Sequence, residues 1–100
     1  MKKIAIIGGG NFAKEIMEVI LMNGDELYGI FAKETNLDCK YFGYLDELNK
    51  HKNSFDGVIL GIGVVNKKGI ENRREIIKFI KENNIGLISV IHLLRLFLNL

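Results

Sequence analysis

The segment Lys3-Ile4-Ala5-Ile6-Ile7-Gly8-Gly9-Gly10-Asn11-Phe12-Ala13-Lys14-Glu15-Ile16 decides how this chain folds. Ile4 to Ile7 is a continuous apolar run between charge and glycine, which suits a strand buried on both faces, as in a parallel sheet. From Asn11 the period changes. Ala13, Ile16, Met17, Ile20 and Leu21 recur at helical spacing, while Lys14, Glu15 and Glu18 fall on the other side. Asn11 reads as the N-cap of this helix and Asn23-Gly24 as its stop.

Between strand and helix, Gly8-Gly9-Gly10-Asn11-Phe12-Ala13 fits the pattern G-x-G-x-x-G/A. The first glycine permits the tight turn, Gly10 lets a phosphate approach the backbone, and small Ala13 lets the helix sit close to the strand. Exposed amides at the helix start, helped by its dipole, favour an anion there. The alternative is that these glycines only make a tight βα turn.

Outward from this segment the same alternation continues. Leu27 to Phe31 reads as a second strand, followed by a polar loop from Lys33 to Lys40 and a short strand at Tyr41-Phe42. A brief helix is expected from Tyr44 to Lys50, a turn at Asn53-Ser54, and a buried strand from Val58 to Ile62. Ile70, Ile76, Ile77 and Ile80 describe a second long helix ending near Asn83-Asn84, and Leu87 to Ile91 a last strand. Strands and helices in this order predict right-handed βαβ crossovers and a three-layer, Rossmann-like α/β fold, a parallel sheet with helices on both faces.

One hundred residues support a single domain, and a composition of 48% hydrophobic and 26% charged residues belongs to soluble globular chains. A net charge of +2 is too mild to argue for a nucleic-acid surface. The lone Cys39 excludes an intramolecular disulfide and reads as an inert thiol. The apolar run after Met1-Lys2-Lys3 is too short for a signal peptide or a membrane span, so a cytoplasmic protein without membrane contact is expected. Residues 1–92 form the expected domain, and 93–100 an apolar tail carrying Leu93, Leu94, Leu96, Phe97, Leu98 and Leu100. That tail must be buried, either as a terminal helix on its own sheet or in a homodimer contact.

The Ile4 and Val58 strands are expected side by side, which brings Gly61-Ile62-Gly63 to the same crevice as the first glycine turn. Gly61 and Gly63 either keep side chains out of a ligand's way or only bend the chain. Arg73, in the first turns of the following helix, could reach a phosphate or carboxylate, or stand solvated. Lys33 and Glu34 follow the second strand, where a dinucleotide-binding domain places an acidic residue for the ribose hydroxyls. The candidate ligand-binding set is therefore Gly8, Gly9, Gly10, Asn11, Phe12, Lys33, Gly61, Ile62, Gly63 and Arg73. His51, in the charged loop Lys50-His51-Lys52, reads as solvated, and His92 as a structural or capping residue. No His, Cys or carboxylate spacing suits a metal, and neither Ser54 nor Ser89 stands in a nucleophile elbow. No catalytic residue is assigned.

Taken in order, the segment Lys3 to Ile16, Tyr41-Phe42-Gly43-Tyr44-Leu45-Asp46-Glu47-Leu48, Val58 to Gly63, Glu71-Asn72-Arg73 and Ile91-His92 resemble the N-terminal domain of bacterial sugar acyltransferases of the PglD/NeuD type. The resemblance covers Lys2 to His92. It implies a nucleotide-sugar-binding domain, with a UDP-sugar or related ligand at the glycine turn, from an acetyl-CoA-dependent acetyltransferase of cell-surface glycan synthesis. In that family a β-helix of hexapeptide repeats follows and supplies the CoA site and the catalytic histidine, so this chain alone is expected to be inactive. The rival reading is an NAD(P)-binding module, a redox sensor or a dehydrogenase fragment.

Overall fold

The computed structural model describes residues 2–62 and 67–89. Strand β1 (Lys3–Ile7) leads into helix α1 (Asn11–Met22), and strand β2 (Glu26–Phe31) is followed by the short strand β3 (Tyr41–Gly43). Helix α2 (Leu45–Lys50), strand β4 (Gly57–Leu60) and helix α3 (Lys67–Glu82) complete the set. The four strands form one sheet in the order β3-β2-β1-β4, and every pairing is parallel. The expected three-layer α/β fold is the one observed.

The continuous apolar run of β1 is explained by burial on both faces. Ile4 and Ile6 pack with Ala13, Ile16 and Ile20 of α1, with Ile30 and with Ile59. Ala5 and Ile7 point to the opposite face, among Leu48 of α2, Phe31, Val58, Leu60 and Ile76 and Ile80 of α3. One strand thus holds the two half-cores together. Each of its fully buried isoleucines contributes about 1.5–3 kcal/mol relative to exposure.

Register is regular against β4, with Ile4 opposite Gly57 and Ile7 opposite Leu60. Against β2 it steps by one residue: Ile4 faces Leu27 and Ala5 faces Gly29, so Tyr28 is left unopposed. Tyr28 and Gly29 consequently turn toward the same face of the sheet. There the Tyr28 ring stacks on Phe42 at 5.0 Å. A Cβ on Gly29 would lie 2.8 Å from Cδ2 of that Phe42 ring, which is why a glycine occupies this strand position.

Both long helices end by the same device. After α1 the Asp25 amide donates to the Ile20 carbonyl (3.1 Å) and the Gly24 amide to Leu21 (3.1 Å), with Gly24 at φ +83°. After α3 the Ile85 amide donates to Ile80 (3.0 Å) and Asn84 to Lys81 (3.2 Å), with Asn84 at φ +55°. Paired bonds of this kind satisfy the last carbonyls of a helix and need a left-handed residue, which glycine and asparagine accept most readily.

Three expectations about element ends are corrected. The N-cap of α1 is Gly10, in extended conformation, and Asn11 is the first helical residue. Strand β4 ends at Leu60 rather than Ile62. Of the expected last strand only a single parallel bridge, Leu87 to Val58, lies within the described residues. His92 and the tail 93–100 lie outside them. Among the described residues no helix is long and apolar enough to cross a membrane.

Candidate functional site

Helices α1 and α3 leave the adjacent strands β1 and β4 on opposite faces of the sheet, and a crevice opens where these strands end. Gly8 closes β1 with φ +133°, a conformation open to glycine alone, while its amide donates to the Phe31 carbonyl at 2.9 Å. A Cβ on Gly8 would collide with the Gly61 backbone, 2.8 Å from the carbonyl carbon. Gly61 is equally confined: its Cβ would lie 2.8 Å from Cγ2 of Ile6 and 3.1 Å from the Cα of Ala13. The two glycine turns therefore touch one another, and Ala13 is small because α1 crosses directly over Gly61.

Gly9 is confined from another direction. Its Cβ would lie 2.5 Å from the Glu34 carbonyl oxygen and 2.7 Å from Cβ of Thr35, so the loop after β2 rests on the glycine turn. Gly10 differs from both. It is exposed, has φ −103°, and a Cβ there would meet nothing within 4 Å. No packing constraint requires glycine at position 10.

Two hollows adjoin across Gly9 and Glu34. The inner one, about 200 Å³, is lined by Ile7, Gly8, Gly9, Ala32, Lys33, Glu34, Tyr44, Ile62 and Asn72. The outer one, about 360 Å³, lies over Gly9 and Gly10 against Glu34, Thr35 and Asn36. At the outer hollow α1 begins with no side-chain cap and no acidic residue in its first turn. The first helical hydrogen bond runs from the Lys14 amide to the Gly10 carbonyl, which leaves the preceding amides outside the helical ladder.

Within the inner hollow the Lys33 ammonium sits 5.6 Å from the centre of the Tyr44 ring. Burial, and secondarily the Glu75 carboxylate, push the Tyr44 phenol above its ordinary pKa, so it stays protonated and able to donate a hydrogen bond.

The candidate residues distribute as follows. Gly8, Gly9, Lys33 and Ile62 line the inner hollow, Gly9 and Gly10 the outer one, and Gly61 forms the backbone wall behind them. Asn11 and Phe12 are exposed on the first turn of α1. Arg73 is half-buried in α3, and its neighbour Asn72 is the residue of that helix which lines the cleft. Gly63 lies outside the described residues. Thr35 carried no motif of its own, and Asn72 stood only within the segment Glu71-Asn72-Arg73 without a site role; the placement of both depends on tertiary approach.

His51 corrects its sequence reading. It is half-buried, its ring 4.7 Å from Phe42, with Nδ1 2.7 Å from the Tyr28 hydroxyl and Nε2 3.9 Å from Glu47. It fastens α2 to β2 and β3 and does not line either hollow. Cys39 packs against the α1-side core, and burial, then the Asp38 carboxylate, raise its pKa. Among the described residues no group of three or more His, Cys, Asp or Glu side chains could hold a metal.

A parallel α/β domain with its crevice at the carboxyl ends of β1 and β4 is thus the class that fold and site define. No family model matches the chain, and no curated protein matches it. Among solved structures it is similar to a candidate protease I from Bacteroides thetaiotaomicron, with a TM-score of 0.55 and 21% identity. The match covers 89% of this chain, which spans 62% of the length of that structure. At this identity the likeness concerns the fold. The expectation of a sugar acyltransferase domain for glycan synthesis is overturned: no family model supports it, and the structural neighbour bears a different description. The NAD(P)-binding alternative likewise gains no support. Among the segments that suggested the acyltransferase family, the first glycine turn and the strands beneath it recur in parallel βαβ units of many functions.

Proposed function

We propose that this domain binds a small phosphate-bearing molecule in the crevice formed by the two glycine turns. The observation that carries the reading is Gly10, whose Cα faces open space at the start of an uncapped helix while Gly8, Gly9 and Gly61 are all explained by packing. A bare Cα there lets an anion reach the first amides of α1, where the helix dipole is favourable. Lys33 supplies a cation one residue from the rim shared by the two hollows, and Asn72 and the protonated Tyr44 supply neutral hydrogen-bonding groups for the rest of the ligand.

Proteolysis, by analogy with the structural neighbour, would call for an activated nucleophile at the crevice. The Cys39 thiol is not placed for this: it packs against the opposite, α1-side core with a raised pKa, whereas a reactive thiol needs a lowered one. We also propose a cytoplasmic location, with which the single free thiol Cys39 is compatible.

The test is an amide-resolved NMR titration with inorganic phosphate, pyrophosphate and AMP, with chloride as control. Shifts are expected at Gly9, Gly10, Asn11 and Phe12. Gly10→Val, whose branched side chain suits the extended backbone and fills the open space, should abolish them while leaving the fold intact. Saturable binding that survives Gly10→Val, or none to the parent chain, refutes the proposal.

A further inference from the structure

The left-handed stop after α1 is held by side chains as well as by its backbone. Nδ2 of Asn23 donates to one carboxylate oxygen of Asp25 at 3.1 Å, and the other oxygen of Asp25 accepts from the Lys2 amide, also at 3.1 Å. Asp25 thereby ties the end of α1 to the start of β1. Asn23 is followed by glycine, the one Asn-Gly pair in the sequence. Asparagine is least stable chemically in this setting, because no side chain on the next residue shields its backbone nitrogen from the carboxamide carbon. The stop after α3 lacks this feature, since asparagine and isoleucine follow Asn83 and Asn84.

We propose that Asn23-Gly24 is a deamidation site that the stop of α1 keeps shut and that opens only when this stop unwinds. In the reaction hydroxide takes the Gly24 amide proton, the nitrogen bonds to Cγ of Asn23, the Cγ–Nδ2 bond breaks and ammonia leaves. Water then opens the cyclic imide to aspartate or isoaspartate at position 23. The folded chain opposes each part of this. The Gly24 amide is engaged by the Leu21 carbonyl at 3.1 Å, and the leaving nitrogen is held by Asp25. Asn23 has φ −79° and ψ −3°, which turns the Gly24 nitrogen away from the side chain, whereas ring closure needs it beside Cβ. Once formed, the product hinders re-formation of the stop. Its carboxylate meets that of Asp25 where a donor stood, and like charges repel. Isoaspartate also adds a backbone carbon inside the loop that the Asp25 amide closes on Ile20. The end of α1 is thus a one-way switch, in which a reacted opening is kept as a loosened joint between α1 and β1.

The experiment follows deamidation of the full chain at this pair by peptide mapping and mass spectrometry in mildly alkaline buffer, both folded and in guanidinium chloride. The folded chain should react at least about tenfold more slowly than the unfolded one, because reaction waits on local opening. Asp25→Ala should raise the folded rate by about threefold to tenfold, the effect of one lost hydrogen bond, and leave the unfolded rate unchanged. Hydrogen exchange separates this from general loosening: in Asp25→Ala the Gly24 and Asp25-position amides should speed up more than the Ile6 amide at the centre of β1. Asn23→Asp, which copies the new carboxylate, should melt below the parent. Equal rates folded and unfolded, an unreactive pair in guanidinium chloride, a parent-like folded rate for Asp25→Ala, acceleration matched at Ile6, or a parent-like melting temperature for Asn23→Asp each overturns the inference. Should Asp25→Ala fail to fold, the two rates of the parent chain and the melting of Asn23→Asp still decide it.

Discussion

Gly8 and Gly10 belong to the same short motif, yet the structure assigns them opposite sensitivities to a single methyl group. At Gly8 an alanine must adopt φ +133°, which costs on the order of 1–3 kcal/mol for a residue with a side chain. Its Cβ must also push back the Gly61 backbone 2.8 Å away and the Ile62 Cγ1 at 3.3 Å. Overpacking of this kind adds about 1–3 kcal/mol, and here the obstacle is backbone held in the sheet by the Gly61 amide's bond to Ile7. The two contributions make Gly8→Ala cost about 2–6 kcal/mol, a large share of the roughly 5–15 kcal/mol that stabilises a native domain. At Gly10 the backbone is ordinary and the space empty. Alanine there gains about 0.4–1 kcal/mol by restricting the unfolded chain and loses a similar amount of N-cap preference, so the net change is small. Urea unfolding followed by circular dichroism separates the cases. With a slope of about 2 kcal/mol/M, Gly8→Ala should lower the midpoint by about 1–3 M and Gly10→Ala by about 0.3 M or less. A Gly8→Ala midpoint close to the parent's, or a Gly10→Ala loss of equal size, would refute the packing argument.

Cys39 has its pKa raised by burial and by Asp38, so the folded protein holds the thiol proton more tightly than the unfolded chain. The corresponding stability is present below the ordinary thiol value of 9.0 and is lost as pH climbs through and above it. Melting temperatures of the parent and Cys39→Ala between pH 7 and pH 10.5 should therefore converge at the alkaline end, and iodoacetamide should alkylate native Cys39 more slowly than the urea-unfolded chain; equal alkylation rates would contradict the assignment. From the six large apolar side chains in 93–100 we also propose that the tail makes a homodimer contact. Sedimentation should give a dimer for the full chain and a monomer for a chain ending at His92, and two monomers would dispose of the idea.

The sequence announced most strongly what depends on neighbours along the chain. The change of period between Ile7 and Ala13 located β1, α1 and the crevice, because burial on both faces leaves an unbroken apolar run and a one-faced helix leaves a stripe. The left-handed stops after α1 and α3 were equally visible in Asn23-Gly24 and Asn83-Asn84. Hidden were features that depend on what approaches from elsewhere. Asn11 has the side chain of an N-cap, but the turn is used up at Gly10, and the asparagine enters the helix. Helix α3 carries Arg73 in its first turns, as its spacing suggested, but its neighbour Asn72 is the residue of that helix that lines the cleft. His51 looked solvated because lysines flank it; only the fold reveals Phe42 beneath its ring and the Tyr28 hydroxyl at its edge. The family resemblance failed for a related reason, since its motifs described a crevice that many chemistries share.

The unopposed Tyr28 means that β2 contains one residue more than its ladder with β1 uses. Sheet pairing on either side of the step would be complete without it. That surplus residue is therefore released from the duty of matching a partner strand, and its side chain serves a different attachment: the ring stacks on Phe42 and lies 5.5 Å from that of Phe55, and the hydroxyl meets His51 at the end of α2. Deleting Tyr28 would leave the strand able to zip up in an unbroken register, with every apolar residue still on its proper face, and would leave α2 held by Leu48 in the core and by His51 on Phe42. In this chain, an irregularity in the sheet adds a tie between the sheet and one of its covering helices, beside the buried Leu48.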